Sequence, residues 1–164
     1  GLGRFYVHQG DGACSDAVCS GNYTVYNRDI CKTPEEKAED SAPDFYQRLF
    51  PLQHKRPITE DGVLVNVDGT ANRVSCICWG PANVVMIVGM NKLVKSVEDA
   101  ISRARHEAAP INAQRFGLDT PCSKTGVCAN CKSPDTVCCQ VLVTRYSKEK
   151  GRIKVILVND EMGF

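Results

Sequence analysis

Hydrophobic and polar positions follow the clearest order between residues 58 and 89. Val63-Leu64-Val65-Asn66-Val67 reads as a strand, with the turn pairs Asp61-Gly62 before it and Asp68-Gly69 after it. Val74 to Trp79 reads as a second strand, giving an expected hairpin across Asp68-Gly69-Thr70-Ala71-Asn72. Gly80-Pro81 breaks the chain, and Val84-Val85-Met86-Ile87-Val88 is an unbroken apolar run, the pattern of a fully buried strand that stops at Gly89. Ser96 can cap a helix in which Glu98 and Asp99 fill the first turn, while Val97, Ile101, Ala104 and Ala108 recur at helical spacing. Pro110 is expected to end or kink that helix. Val141 to Arg145 and Ile153 to Val158 read as two further strands.

The first part of the chain is less regular. Residues 1–22, rich in Gly, Asp, Ser and Cys, show no period and read as an irregular or remnant segment. Tyr23-Thr24-Val25-Tyr26 suits a short strand, and Thr33-Pro34-Glu35-Glu36 begins a helix running toward Asp40. Residues 47–57, with two prolines and a basic cluster, fit no element. The order of strands, helix, long loop and strands implies one α/β domain over residues 1–164 with a sheet of mixed direction.

Bulk composition narrows the classes. Twenty Lys plus Arg against nineteen Asp plus Glu leave a net charge of +1, and aromatics make up 7%. Neither draws nucleic acid or an anionic membrane, so neither partner is expected. The run Val84 to Val88 is too short to span a bilayer, and Gly1-Leu2-Gly3-Arg4-Phe5 lacks the apolar core of a signal peptide. The expected compartment is the cytoplasm, where thiols stay reduced. Ten cysteines there call for a reason other than disulfides, and five of them fall between Cys122 and Cys139.

That cluster is a candidate metal loop, residues 120–139. In Cys128-x-x-Cys131 the two intervening residues let both sulfurs converge on one ion. Cys122 and Cys138 flank the pair and would complete a four-thiolate shell, with Cys139 as the alternative to Cys138. Zinc and an iron–sulfur cluster both accept such a set, zinc being preferred. The ion would order a loop with almost no apolar side chains of its own. Free surface thiols are the bland reading, and a dithiol switch lacks its usual setting at a helix start.

The turns supply other chemistry. Asp68, Asn72 and Arg73 follow one strand, and across the expected hairpin Arg73 could face Asp68 or Asn66. Asn91 and Lys92 follow the buried strand, where α/β sheets bind ligands. A carboxylate, amides, a guanidinium and an ammonium suit a small anionic metabolite. Turn formation and solvated cations are the plainer alternative. His8, His54 and His106 show no ligand spacing, and the common nucleotide and hydrolase motifs are absent.

Ile58-Thr59-Glu60-Asp61-Gly62-x-Leu64-Val65-Asn66-x-Asp68-Gly69-Thr70-x-Asn72-Arg73-Val74 resembles the signature of the LUD (lactate utilisation) domain family. So do Val88-Gly89-Met90-Asn91-Lys92, Ala109-Pro110-x-Asn112-Ala113-x-Arg115, the cysteine loop and Arg152 to Val158. The likeness is dense over Ile58 to Phe164 and looser over Tyr23 to Asp44. It implies a fold like that of sugar-phosphate isomerases and coenzyme A transferases, an open mixed sheet flanked by helices, and a place in lactate or other organic-acid metabolism beside iron–sulfur oxidoreductase subunits. By the same analogy Glu60, in Glu60-Asp61-Gly62, would be a carboxylate nucleophile or base. Asp68, Asn72, Arg73, Asn91 and Lys92 would bind substrate. The resemblance also implies a longer N-terminal part, so a shortened member with an incomplete ligand site is expected. The other reading is a non-catalytic metal-bearing subunit that docks a partner or carries electrons. If the loop holds an ion, Cys128→Ser lowers metal stoichiometry and melting temperature together; elemental analysis that finds unchanged metal in the variant refutes the site.

Overall fold

The computed structural model describes residues 57–163, together with the backbone of residues 4–7, 24–27 and 49–53. The helix expected from Thr33 to Asp40 lies outside the described residues. Two sheets stand at the centre. One is parallel, built from β1 (Arg4–Val7), β2 (Thr24–Asn27), β3 (Leu49–Gln53), β6 (Asn83–Gly89) and β9 (Ile153–Val158), in the order β2-β1-β3-β6-β9. The other joins β4 (Ile58–Thr59), β5 (Leu64–Asp68), β7 (Leu93–Val94) and β8 (Gln140–Thr144), in the order β7-β4-β5-β8. There β4 runs parallel to β7, while β5 runs antiparallel to both β4 and β8. The α/β class and the mixed strand directions are as the pattern implied.

The apolar run at 84–88 forms the core as a strand bearing on both faces. Val84, Met86 and Val88 are no more than 2% exposed and pack with Ile58, Leu64 and Ile77, with Leu93, Leu142 and Ile153 against them. Their neighbours Val85 and Ile87 are half-buried. Parallel sheets need both faces covered, which is why β6 shows no polar alternation. No helix of the described residues is long and apolar enough to cross a membrane.

Three readings of the pattern change. Residues 74–79 are not a strand: α1 (Asn72–Cys78) is helical, with Val74 and Ile77 buried one turn apart. The antiparallel partner of β5 is β8, far along the chain, which takes the place of the expected hairpin arm. Residues 4–7 and 49–53 are strands where no element was expected. Pro51 can belong to β3 because the ladder to β1 is short, a single pair Phe5↔Leu49, so its missing N–H falls beyond that ladder.

Pro110 does not end its helix. Ser96 caps α2 (Val97–Arg103) by accepting the Asp99 N–H at 3.1 Å. A π-turn at Ala104–Ala108 then leads into α3 (Ala109–Arg115). A proline ring clashes with the carbonyl four residues back, and the wider turn takes up that clash without breaking the rod. Met86→Ala is expected to cost about 2–5 kcal/mol in urea denaturation, whereas Ile156→Ala, half exposed on the edge strand, costs less than half as much.

Candidate functional site

At the carboxyl end of the parallel sheet the apolar run gives way to Gly89 and a short 3₁₀ turn, Met90–Lys92, before β7. The chain segment after β9 crosses directly over this turn. A Cβ on Gly89 would lie 2.6 Å from the Met162 nitrogen and 2.7 Å from the Asp160 carbonyl oxygen, so only glycine fits. The Met90 N–H donates to the Asp160 carbonyl at 3.1 Å. The Asn91 amide then meets the segment twice: Nδ2 donates to the Gly163 carbonyl at 3.0 Å, and Oδ1 accepts the Met162 N–H at 3.3 Å. Lys92 is fully buried, and its ammonium donates to the Met162 carbonyl.

Glu60 belongs to the same side of the second sheet as β7. Its N–H donates to the Val94 carbonyl at 2.9 Å, and its side chain is exposed on the turn between β4 and β5. Thr59 beneath it is buried and donates through its hydroxyl to Asp61. Gly62, at φ +90°, closes that turn.

Asp68, Asn72 and Arg73 occupy the other end. Glu60 precedes β5 and Asp68 ends it, which sets them roughly 14 Å or more apart at about 3.4 Å per residue. The Asp68 carboxylate is buried and accepts three hydrogens: the Arg73 Nε at 3.0 Å, the Arg73 N–H at 3.1 Å and the Thr70 N–H at 3.3 Å fix the turn, and burial of the group excludes water from them. Arg73 Nη2 also reaches the Val67 carbonyl at 3.3 Å, so the guanidinium folds back on the strand rather than outward. Asn72 is exposed and accepts the Arg73 N–H at 2.9 Å. Burial alone would push the Asp68 carboxyl up, but the Arg73 charge and the N–H bonds from Arg73 and Thr70 outweigh it and hold the group below the ordinary carboxylate value.

Arg152, which the sequence pattern did not single out, ties the C-terminal end of α1 to the parallel sheet. Its guanidinium donates to the carbonyls of Cys76, Ile77 and Pro81 at 2.7–2.8 Å, satisfying the last turn of α1. The site residues therefore fall on separate elements: Glu60 and Asp68 at opposite ends of β5, Asn72 and Arg73 at the start of α1, and Asn91 and Lys92 on the turn after β6.

The cysteine loop is ordered by protein groups. Thr120 caps α4 (Pro121–Thr125) in a reciprocal box with Ser123. Gly126 at φ +75° and Asn130 at φ +50° bend the chain. The Asp119 N–H donates to Asp135 at 3.2 Å, and Ser133 donates to the Asp119 carbonyl at 3.1 Å, closing the loop on its own start. Three of the sulfurs have separate neighbours: Cys122 meets Thr120 at 3.3 Å, Cys138 meets Thr136 at 3.2 Å, and Arg105 from the π-turn donates to Cys128 at 3.8 Å and to Asn130. Among the described residues no three His, Cys, Asp or Glu side chains converge as a metal site. Cys122, Cys128, Cys131 and Cys138 are not gathered around a common point in this conformation.

Asn66 also escaped notice beyond its place in a motif. It is fully buried in the middle of β5, and neither amide atom has a hydrogen-bond partner among the described residues. A polar residue at a strand position flanked by buried Val65 and Leu64 is the signal that could have found it.

Comparison with protein families matches residues 14–158 to the LUD domain. Searches of curated proteins and of solved structures found no match.

Because the Asp68 pKa is lowered, its contribution is complete above the unfolded value of about 3.9 and is lost as pH falls through the folded one. Asp68→Asn is expected to cost about 1–3 kcal/mol at neutral pH by leaving the Arg73 charge and the turn N–H groups with a weaker acceptor. In urea denaturation the gap between variant and parent should close as the pH drops below about 4.

Proposed function

Since this chain belongs to the LUD domain family, we propose that it acts in lactate-type organic-acid metabolism and binds a small carboxylate at the carboxyl end of its parallel sheet. The observation that carries this reading is the fully buried Lys92 ammonium beside the Asn91 amide, on the turn where β6 ends. Open parallel sheets bind ligands beyond the carboxyl ends of their strands. An ammonium and an amide in a dry setting recognise a carboxylate through charge-assisted and neutral hydrogen bonds. Glu60, exposed on the neighbouring turn, is the carboxylate available as nucleophile or base. Asp68, Asn72 and Arg73, proposed from the pattern as further substrate contacts, serve in this reading to lock the turn into α1.

A second reading concerns the cysteine loop. Four half-buried cysteines at Cys122, Cys128, Cys131 and Cys138 form a donor set chemically suited to zinc or an iron–sulfur cluster. Among the described residues they do not converge as a metal site in this conformation, so binding requires the sulfurs to move together. The loop would then serve to dock an iron–sulfur oxidoreductase subunit or to carry electrons. Colour in protein purified without oxygen separates the two metals: a cluster is brown and zinc is colourless.

The carboxylate reading is tested by thermal shift with lactate, pyruvate and short acyl-coenzyme A compounds. A ligand at a hundred times its Kd adds about 2.7 kcal/mol, which for a domain of this size is a rise of several degrees. Lys92→Met should abolish that rise. Glu60→Gln should keep the melting temperature of the ligand-free protein and weaken the response. Identical responses in all three proteins overturn the assignment.

A further inference from the structure

The segment Asp160–Gly163 makes its contacts with the same two side chains that the proposed carboxylate site uses. Lys92 is held by the Met162 carbonyl, and Asn91 pairs with the Met162 N–H and the Gly163 carbonyl. Gly89 removes the Cβ that would keep the segment away, and Met90 adds a further main-chain bond to Asp160. Main-chain carbonyl oxygens are the neutral counterparts of carboxylate oxygens, so this segment presents to Lys92 and Asn91 the chemistry that a carboxylate ligand would present.

We infer that Asp160–Gly163 is a strap over the carboxylate site, and that a ligand carboxylate takes the positions of the Met162 and Gly163 carbonyls when the strap lifts. The inference rests on the carboxylate reading of Asn91 and Lys92 given above. Four features make the exchange physically reasonable. The strap follows the last residue of β9, so it can swing while the six-pair ladder between β6 and β9 stays intact. The residues it carries, Asp160, Glu161 and Gly163, are exposed, and its attachment is made of few hydrogen bonds, each of modest net worth. A carboxylate oxygen in place of the Met162 carbonyl makes a charge-assisted bond to the ammonium, which is stronger than the neutral bond it replaces. The acidic pair Asp160 and Glu161 travels with the strap, so lifting it also carries negative charge away from an incoming anion.

Access to Lys92 reads out the strap directly. Full-length protein is treated briefly with acetic anhydride, with and without pyruvate, and acetylation of each lysine is measured by peptide mass spectrometry. Exposed Lys95 is the internal reference. Two variants loosen the strap: Gly89→Ala introduces the clashing Cβ, and Met162→Pro removes the N–H that Asn91 accepts. Wild-type Lys92 is expected to react far more slowly than Lys95, and in the variants its rate should rise by on the order of tenfold with Lys95 unchanged. Pyruvate should slow Lys92 acetylation in the variants more than in the parent. If Gly89→Ala lacks a native circular dichroism spectrum, Met162→Pro alone decides. A folded Met162→Pro protein whose Lys92 stays as protected as in the parent overturns the strap while leaving the carboxylate reading to its own test. Faster acetylation that pyruvate does not slow overturns the carboxylate reading, and with it the exchange.

Discussion

The parallel ladder between β6 and β9 positions both ends of the molecule. Its six register pairs run from Val84↔Ile153 to Gly89↔Val158. At the amino end the residue just before β9, Arg152, reaches the last carbonyls of α1 and so ties that helix to the parallel sheet. At the carboxyl end the chain leaving β9 falls across Gly89 and meets Asn91 and Lys92. Slipping this ladder by one residue would turn the buried side chains of β6 away from the core and misplace both attachments at once.

That arrangement gives the polar residues of one motif two separate jobs. Asp68 and Arg73 satisfy each other and the first N–H groups of α1 in a buried turn, a structural task that leaves the guanidinium folded inward. Asn91 and Lys92 lie beyond the carboxyl end of β6, where oxygens of the chain's own backbone receive them. A buried ammonium demands oxygen partners, and the Met162 carbonyl is one for Lys92.

The cysteine loop makes a related point about order. A polar segment with few apolar side chains holds its shape through a capped short helix, two left-handed turns and bonds that return to Asp119. The sulfurs rest on Thr120, Arg105 and Thr136. The π-turn that accommodates Pro110 is also what carries Arg105 to Cys128, so a backbone device in the helix reaches the loop.

Local signals were enough for much of this. The unbroken run at 84–88, the alternation at 63–67, the Ser96 cap and the two closing strands each declare themselves within a few residues, because burial on one or both faces sets the period. The motifs from Ile58 to Arg115 likewise pointed to the LUD family, which the match over residues 14–158 shows. Tertiary structure decided the rest. Residues 74–79 carry strand-like side chains, yet β8 occupies the edge of β5 that they would have used, and the Asp68 turn starts a helix instead. Which polar residues share a site was likewise hidden, since the partners of Asn91 and Lys92 are main-chain groups some 70 residues later. Every residue carries the same carbonyl and N–H, so such partners leave no trace in side-chain pattern, and only the folded backbone determines where they meet.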